Sequence, residues 1–251
     1  MSGEVVAVIP ARYGSTLFPG KPLADINGLP MVVQVWRRAM RAKLVDDVIV
    51  ATDDERIANA VRLAGGKADL TPSSLQTGSD RVAHVARGIA SARIIVNLQG
   101  DEPLINPEMI DQAVQPLISD PSLVVGTLVR RIADADELTS TGIVKVAMDR
   151  NGFALYFSRS VIPFGRDASP DDFLSLHAVY KHIGLYVFRK DFLFAFTAMK
   201  QTPLELAENL EQLRILENGY RIHVTITEHD SIPVDTPADL EHVRRLAALE
   251  P

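Results

Sequence analysis

The sequence predicts an α/β fold whose sheet is parallel at first and mixed later, and three observations predict it. Short, continuous apolar runs rich in β-branched residues recur at Val5 to Ile9, Val48 to Ala51 and Ile94 to Leu98. Runs of that kind, bounded by polar or Gly/Pro segments, belong to strands buried on both faces of a parallel sheet. Helix-period patterns separate them, and this alternation over the first ~120 residues argues for βαβ units with right-handed crossovers. Beyond that point two strand patterns flank a turn, as in a hairpin.

Each element has a local reason. Pro30 to Lys43 places Val32, Val35, Trp36, Ala39 and Met40 on one helical face, with Pro30 suited to the first turn. Asp54 to Leu63 forms a second helix stopped by Gly65-Gly66, and Ser79 to Ala90 a third. Asn106-Pro107 opens a fourth, with an asparagine cap followed by a proline at the first helical position. In the second half, Val144 to Met148 and Phe153 to Phe157 flank the turn Asp149-Arg150-Asn151-Gly152. Ile183 to Phe188 and Ile222 to Thr227 add strands. One helix is predicted from Thr202-Pro203 to about Asn218-Gly219, and a last one from Thr236-Pro237 to near Glu250. Phe164 to Leu176, polar and rich in Pro, Asp and Ser, reads as a loop and a candidate lid.

Composition excludes several functions. With 47% hydrophobic and 23% charged residues, the chain is an ordinary globular one rather than disordered. Its formal charge of -6 and lack of a basic block argue against nucleic acid or anionic membrane as partners. There is no cysteine, which removes disulfides, thiolate nucleophiles and sulfur-based zinc sites. Leu123 to Val129 is among the longest apolar stretches and falls far short of the ~20 residues that span a bilayer. Glu4 ahead of a short apolar run, with Arg12 soon after, is not a secretion signal, and a cytoplasmic protein is expected.

In an open α/β sheet, ligands bind beyond the carboxyl ends of the strands. The first such loop, Pro10 to Pro22, carries two glycines, two cations and two hydroxyls. Backbone amides there, with Arg12 and Lys21, suit phosphate oxygens; a solvated loop with ordinary turn residues is the competing reading. It is not a Walker loop, because five residues separate Gly14 from Gly20 and Pro22 follows the lysine. The second loop is Gln99-Gly100-Asp101-Glu102-Pro103, whose adjacent carboxylates suit Mg²⁺ or simply a turn and a helix cap. In Val234-Asp235-Thr236-Pro237-Ala238-Asp239, capping explains Thr236 and Asp239 but not Asp235. Thr77 to Arg81 reads equally as a base or ribose contact and as a plain cap. Taken singly, Arg159, His182 and Glu211 read as a surface cation, a structural histidine and a helix-surface charge.

Together these segments form an ordered series. It runs Ile9-Pro10-Ala11-Arg12-Tyr13-Gly14-Ser15-Thr16, Pro19-Gly20-Lys21-Pro22-Leu23, Val50-Ala51-Thr52-Asp53-Asp54, Thr77-Gly78-Ser79-Asp80-Arg81 and Gln99-Gly100-Asp101-Glu102-Pro103. It continues through Ala154-Leu155-Tyr156-Phe157-Ser158-Arg159, His182-Ile183-Gly184-Leu185-Tyr186, Leu210-Glu211-Gln212-Leu213-Arg214 and Val234-Asp235-Thr236-Pro237. The series closely resembles the 3-deoxy-manno-octulosonate (Kdo) cytidylyltransferase family over nearly the whole chain.

The resemblance implies a Rossmann-like nucleotidyltransferase fold with a smaller sugar-binding and dimerisation lobe. It implies one domain over residues 1–251: 1–121 mainly nucleotide-binding, 122–230 mainly the sugar-binding and dimerisation lobe, and 231–251 the C-terminal helix. The implied reaction joins CTP and Kdo into CMP-Kdo and pyrophosphate, with Mg²⁺, for lipopolysaccharide biosynthesis, in a homodimer. By the same carry-over Asp101 and Asp235 hold the metal, and Arg12, Lys21, Asp101 and Asp235 form the catalytic set. Pro10, Ala11, Arg12, Gly14, Ser15 and Lys21 meet the nucleotide's phosphates. Thr77, Ser79, Arg81 and Gln99 complete the nucleotide site, and Gln99, Arg159, His182, Tyr186 and Glu211 orient the sugar acid.

One residue departs from the family's pattern: Leu17 stands where the loop usually carries an arginine. A charge-assisted hydrogen bond contributes ~1.5–3 kcal/mol, so the expectation is weaker CTP binding with the reaction intact. Two other readings stay open at this point. One is a sister enzyme that activates a related ulosonic acid such as 8-amino-Kdo; the other is a nucleotide-binding protein without turnover, which would not need Asp101 and Asp235 together.

Overall fold

The computed structural model describes residues 4–14, 18–166 and 169–249. Its central sheet has nine strands among the described residues. β1 (Val5–Ala11) comes first, followed by a two-stranded ribbon of β2 (Asp25–Ile26) and β3 (Leu29–Pro30). Then come α1 (Met31–Ala39), β4 (Asp47–Thr52), α2 (Glu55–Leu63), β5 (Lys67–Leu70), α3 (Gly78–Arg87), β6 (Ile94–Leu98) and α4 (Pro107–Ser119). β6, β1, β4 and β5 lie side by side and parallel, which is the predicted βαβ half.

The second half continues the same sheet. β7 (Val125–Arg131), α5 (Ala135–Thr139), the hairpin β8 (Lys145–Met148) and β9 (Ala154–Ser158), and α6 (Pro170–Leu176) precede β10 (Tyr180–Arg189). α7 (Lys190–Ala198), α8 (Pro203–Glu208), α9 (Leu213–Glu217), β11 (His223–Ile226) and α10 (Pro237–Ala247) complete the chain. β10 is antiparallel to both β6 and β7, and β11 is parallel to β7. The α/β class and the change from parallel to mixed are as expected.

The strand patterns explain the layers. Val5, Ala7 and Ile9 of β1 pack with Ile57 of α2 and Ile110 of α4 on one face. Val6 and Val8 pack with Val82 of α3 on the other, where Phe192 of α7 also lies. Successive residues of a strand point to opposite faces, so a continuous apolar run is what a sheet covered on both sides requires.

Two predicted elements differ. The helix expected over 202–219 is broken into α8 and α9 at Asn209, which takes the left-handed conformation at φ 53° and ends α8. The polar segment Phe164 to Leu176 ends in α6, capped by Ser169, whose hydroxyl accepts from the Asp172 amide at 3.2 Å, with Phe173 and Leu174 buried. β5 and α7 carried no sequence assignment. No helix among the described residues is long and apolar enough to cross a membrane.

Candidate active site

The carboxyl ends of β1 and β6 build the first side of the site. The backbones meet closely there: a Cβ added at Gly100 would lie 2.9 Å from the Pro10 carbonyl oxygen, so only glycine lets β6 turn out past β1. The loop after β1 is closed by the Gly20 amide donating to the Tyr13 carbonyl at 2.9 Å. Gly20 adopts φ 74°, and its missing Cβ leaves room for the Tyr13 ring. Arg56 of α2 stacks its guanidinium 3.5 Å from the centroid of that ring. Arg12 donates to the Gln76 carbonyl. Pro10 and Ala11 are the last residues of β1, and Gly14 follows in the described part of the loop. Ser15 and Leu17 lie outside the described residues.

Lys21 brings the two separated aspartates together. Its Nζ donates to Asp101 Oδ2 at 2.8 Å and to Asp235 Oδ1 at 3.1 Å. The main chain holds the same junction, with the Val234 amide donating to the Asp101 carbonyl at 2.9 Å. Thr236 caps α10 reciprocally with Asp239, which sets the direction in which Asp235 leaves the loop. Burial disfavours the Lys21 charge, but Asp101 and then Asp235 outweigh it and hold the ammonium above its ordinary pKa.

The donor set suits a hard divalent cation. Two carboxylates already converge on one cationic point, and Mg²⁺ is commonly held by one or two carboxylates with waters and substrate phosphates. No group of three or more metal-ligating side chains occurs among the described residues, so an all-protein cage is not what this geometry offers. The adjacent pair Asp101-Glu102 suggested by the sequence is corrected. Glu102 turns inward, is buried and accepts from Ser231 Oγ. Burial and then the neighbouring Asp101 push its pKa up to about 8. The second carboxylate at the junction is Asp235.

A cavity of about 490 Å³ opens beside Asp101 and is lined in part by Gln99, His182, Lys181, Glu137 and Asp230. β10 reaches it through a bulge between Ile183 and Tyr186, which breaks its register with β7. His182 Nε2 lies 2.9 Å from Thr127 Oγ1, and that hydroxyl donates to the Leu185 carbonyl at 2.7 Å. Thr127 therefore accepts from a protonated Nε2, which leaves Nδ1 as an acceptor. Burial lowers the His182 pKa to about 3, so the ring is neutral.

The remaining assigned residues fall into connected groups. Gln99 donates to Asn97 at 3.1 Å, Asn97 to Ser79 at 3.3 Å, and Ser79 to Glu211 at 2.7 Å. This chain joins residues assigned separately to nucleotide and sugar. Burial raises the Glu211 pKa against the pull of Ser79 and Arg214. Tyr186 and Glu211 line a separate void of about 10 Å³ with Ser79 rather than the large cavity. The buried Tyr186 hydroxyl has no partner among the described residues. Thr77 is the reciprocal cap of α3 with Asp80. Arg81 is fully buried, with Nη2 on Asp53 at 3.0 Å and Nη1 on Thr71. Arg159 is held at 3.1 Å on the Thr141 carbonyl and 3.2 Å on that of Glu208.

Sequence reasoning missed the partners that hold these groups. Asp53 had a signal, since it directly follows the apolar run of β4. Glu208, which accepts from the Arg159 amide at 3.0 Å and Ser158 Oγ at 2.6 Å, had none nearby. Lys181, paired with Glu137 and with Asp230 at 2.9 Å, sits in a strand pattern that reads as plain structure.

Comparison with known proteins shows the family. The cytidylyltransferase family model matches residues 6–222. The 3-deoxy-manno-octulosonate cytidylyltransferase of Geobacter metallireducens is 56% identical over 245 residues, 96% of either chain. That of Geobacter sulfurreducens is also 56% identical, over 96% of this chain and 98% of its own. A solved CMP:2-keto-3-deoxy-manno-octonic acid synthetase complexed with CTP superimposes with a TM-score of 0.91 at 42% identity, covering 98% of this chain and 99% of that one. The chain therefore belongs to the cytidylyltransferase family and, within it, to the 3-deoxy-manno-octulosonate cytidylyltransferases.

Proposed function

We propose that the chain joins CTP to Kdo, giving CMP-Kdo and pyrophosphate for lipopolysaccharide biosynthesis, at the junction of the Lys21–Asp101–Asp235 cluster and the cavity beside it. The observation that carries this reading is the convergence of Asp101 and Asp235 on one cationic point at the cavity's edge. Asp101 and Asp235 would hold Mg²⁺. When bound, the metal supplies positive charge that polarises the α-phosphate.

The chain's own residues bind and orient. Arg12 and Lys21, with the amides of the loop after β1, offset the triphosphate charge. The segment Thr77 to Arg81, with Gln99, faces the cytidine side. Neutral His182 presents Nδ1 as an acceptor to a sugar hydroxyl and Arg159 shapes the sugar side, while Tyr186 and Glu211 support it from the separate void behind. The anomeric hydroxyl oxygen then bonds to the α-phosphorus as the bond to the pyrophosphate oxygen breaks. Pyrophosphate leaves with that electron pair, and the hydroxyl proton passes to solvent water. Such transfers depend mainly on positioning and charge stabilisation. A homodimer and a cytoplasmic setting belong to the same proposal.

Incubation with CTP, Kdo and Mg²⁺, followed by mass identification of the products, tests the reading. CMP-Kdo and pyrophosphate are expected; CTP binding without product would point to a binding protein. A panel of other ulosonic acids in the same assay, with a clear preference for one of them, would assign the chain to a sister activity. Light scattering at twice the chain mass would support the dimer.

A further inference from the structure

Lys145, the first residue of β8, is 0% exposed. Buried lysines normally have a carboxylate partner. None pairs with Lys145 among the described residues. Its ammonium instead donates to three backbone carbonyls: Ser140, Ile143 at 2.9 Å and Arg159 at 3.0 Å. Three N–H donors meet three acceptors, so the group is fully used. Burial, with the nearby Arg159 charge, holds its pKa below the usual lysine range. A methionine would occupy similar space without the cost of desolvating a charge. What the ammonium adds is the position of those carbonyls.

Two of the carbonyls belong to the loop between α5 and β8, and Arg159 grips the same loop through Thr141 at 3.1 Å. Lys145, in β8, and Arg159, just past the end of antiparallel β9, thus hold one loop together, Lys145 standing opposite Ser158 in the register. The loop continues as Gly142, Ile143 and Val144, which line the 490 Å³ cavity with Asp101 and His182. The Val144 carbonyl also accepts from the His182 amide at 2.8 Å, so the clamp reaches the sugar-facing strand.

We infer that Lys145 is a positioning residue for the sugar acid: its three carbonyl bonds set the cavity wall at 142–144 and the main chain of Arg159. The inference rests on the proposed function. The nucleotide loop makes none of these bonds, so CTP recognition should not depend on them.

Steady-state kinetics of wild type and Lys145→Met test it. Wild type must first make CMP-Kdo; if it does not, the functional reading fails and not the clamp. With an active wild type, Lys145→Met should raise KM for Kdo by roughly tenfold or more while KM for CTP stays within about twofold. A variant with both KM values unchanged, whatever its kcat, or with both raised equally, would overturn the inference. Hydrogen exchange on wild type covers the case in which the variant does not fold. Amides over 140–144 should slow when Kdo is added with CTP, but not with CTP alone. Exchange there that is indifferent to Kdo would also overturn it.

Discussion

On one side of the cavity, Lys21, Asp101 and Asp235 bring three charged side chains from distant parts of the sequence to one point on loops beyond the strand ends. On the other side, His182 sits within a strand, partly buried and neutral. The first side concentrates charge where the proposed triphosphate and metal would need it. The second has had its polar groups paired with partners from elsewhere in the fold: His182 with Thr127, Glu211 with Ser79, Arg159 with Glu208 and Thr141. Chemistry carried by loops at strand ends is close to solvent and cheap to change. Recognition carried within strands is tied to the packing of the sheet, and altering it alters the fold.

The largest effect should fall on the loop side. Asp101→Asn and Asp235→Asn should each lower turnover on the order of 10²–10³-fold, since the metal's charge contributes several kcal/mol to such transition states. Thermal unfolding should move little, because the Asp235 side chain is 61% exposed and exposed pairs contribute about 1 kcal/mol or less. If either variant unfolds early while keeping its turnover, the contrast between the two sides is wrong.

Asp53→Asn should do the opposite. Arg81 is buried and relies on Asp53 for charge compensation, and stripping one partner from a buried pair costs about 3 kcal/mol. Chemical denaturation should show that loss, scaled down in so far as Asp53 itself is partly exposed. An unchanged midpoint would mean that Thr71 alone satisfies Arg81.

Leu17→Arg adds a cation to the nucleotide loop. A new charge-assisted contact should tighten CTP roughly tenfold without altering the sugar's KM. No tightening in a titration would mean that another cation already serves the phosphates.

Near neutral pH the smallest effect is that of His182, which grows only on acidification. His182 is neutral in the folded protein, with a pKa lowered to about 3, whereas the unfolded chain takes up the proton near 6.5. Between these values the unfolded state binds more protons, so stability falls as pH drops below ~6.5, by at most about 1.4 kcal/mol per pH unit. His182→Asn should flatten that part of the stability–pH curve; an identical slope would remove His182 as its source.

Much of the loop side was legible in the sequence. β1, β4 and, apart from Asn97, β6 are apolar runs because both faces of each are covered, and the loops that follow them carry the glycines and charges. β5 was not legible: at the sheet's edge only Ala68 is buried, while Lys67, Asp69 and Leu70 are exposed. The break at Asn209 was hidden because helix periodicity continues across it, and only the left-handed turn stops α8. Glu208 and Lys145 could not be found either. Their roles exist only through backbone groups of other segments, and a residue's type says nothing about which distant carbonyl it will meet.

The account stands most directly on the shared metal seat. Mn²⁺ titration followed by electron paramagnetic resonance, with CTP present, compares wild type with Asp101→Asn and Asp235→Asn. The account predicts that each substitution weakens Mn²⁺ binding by roughly tenfold or more. Equal Mn²⁺ affinity in all three proteins would contradict it.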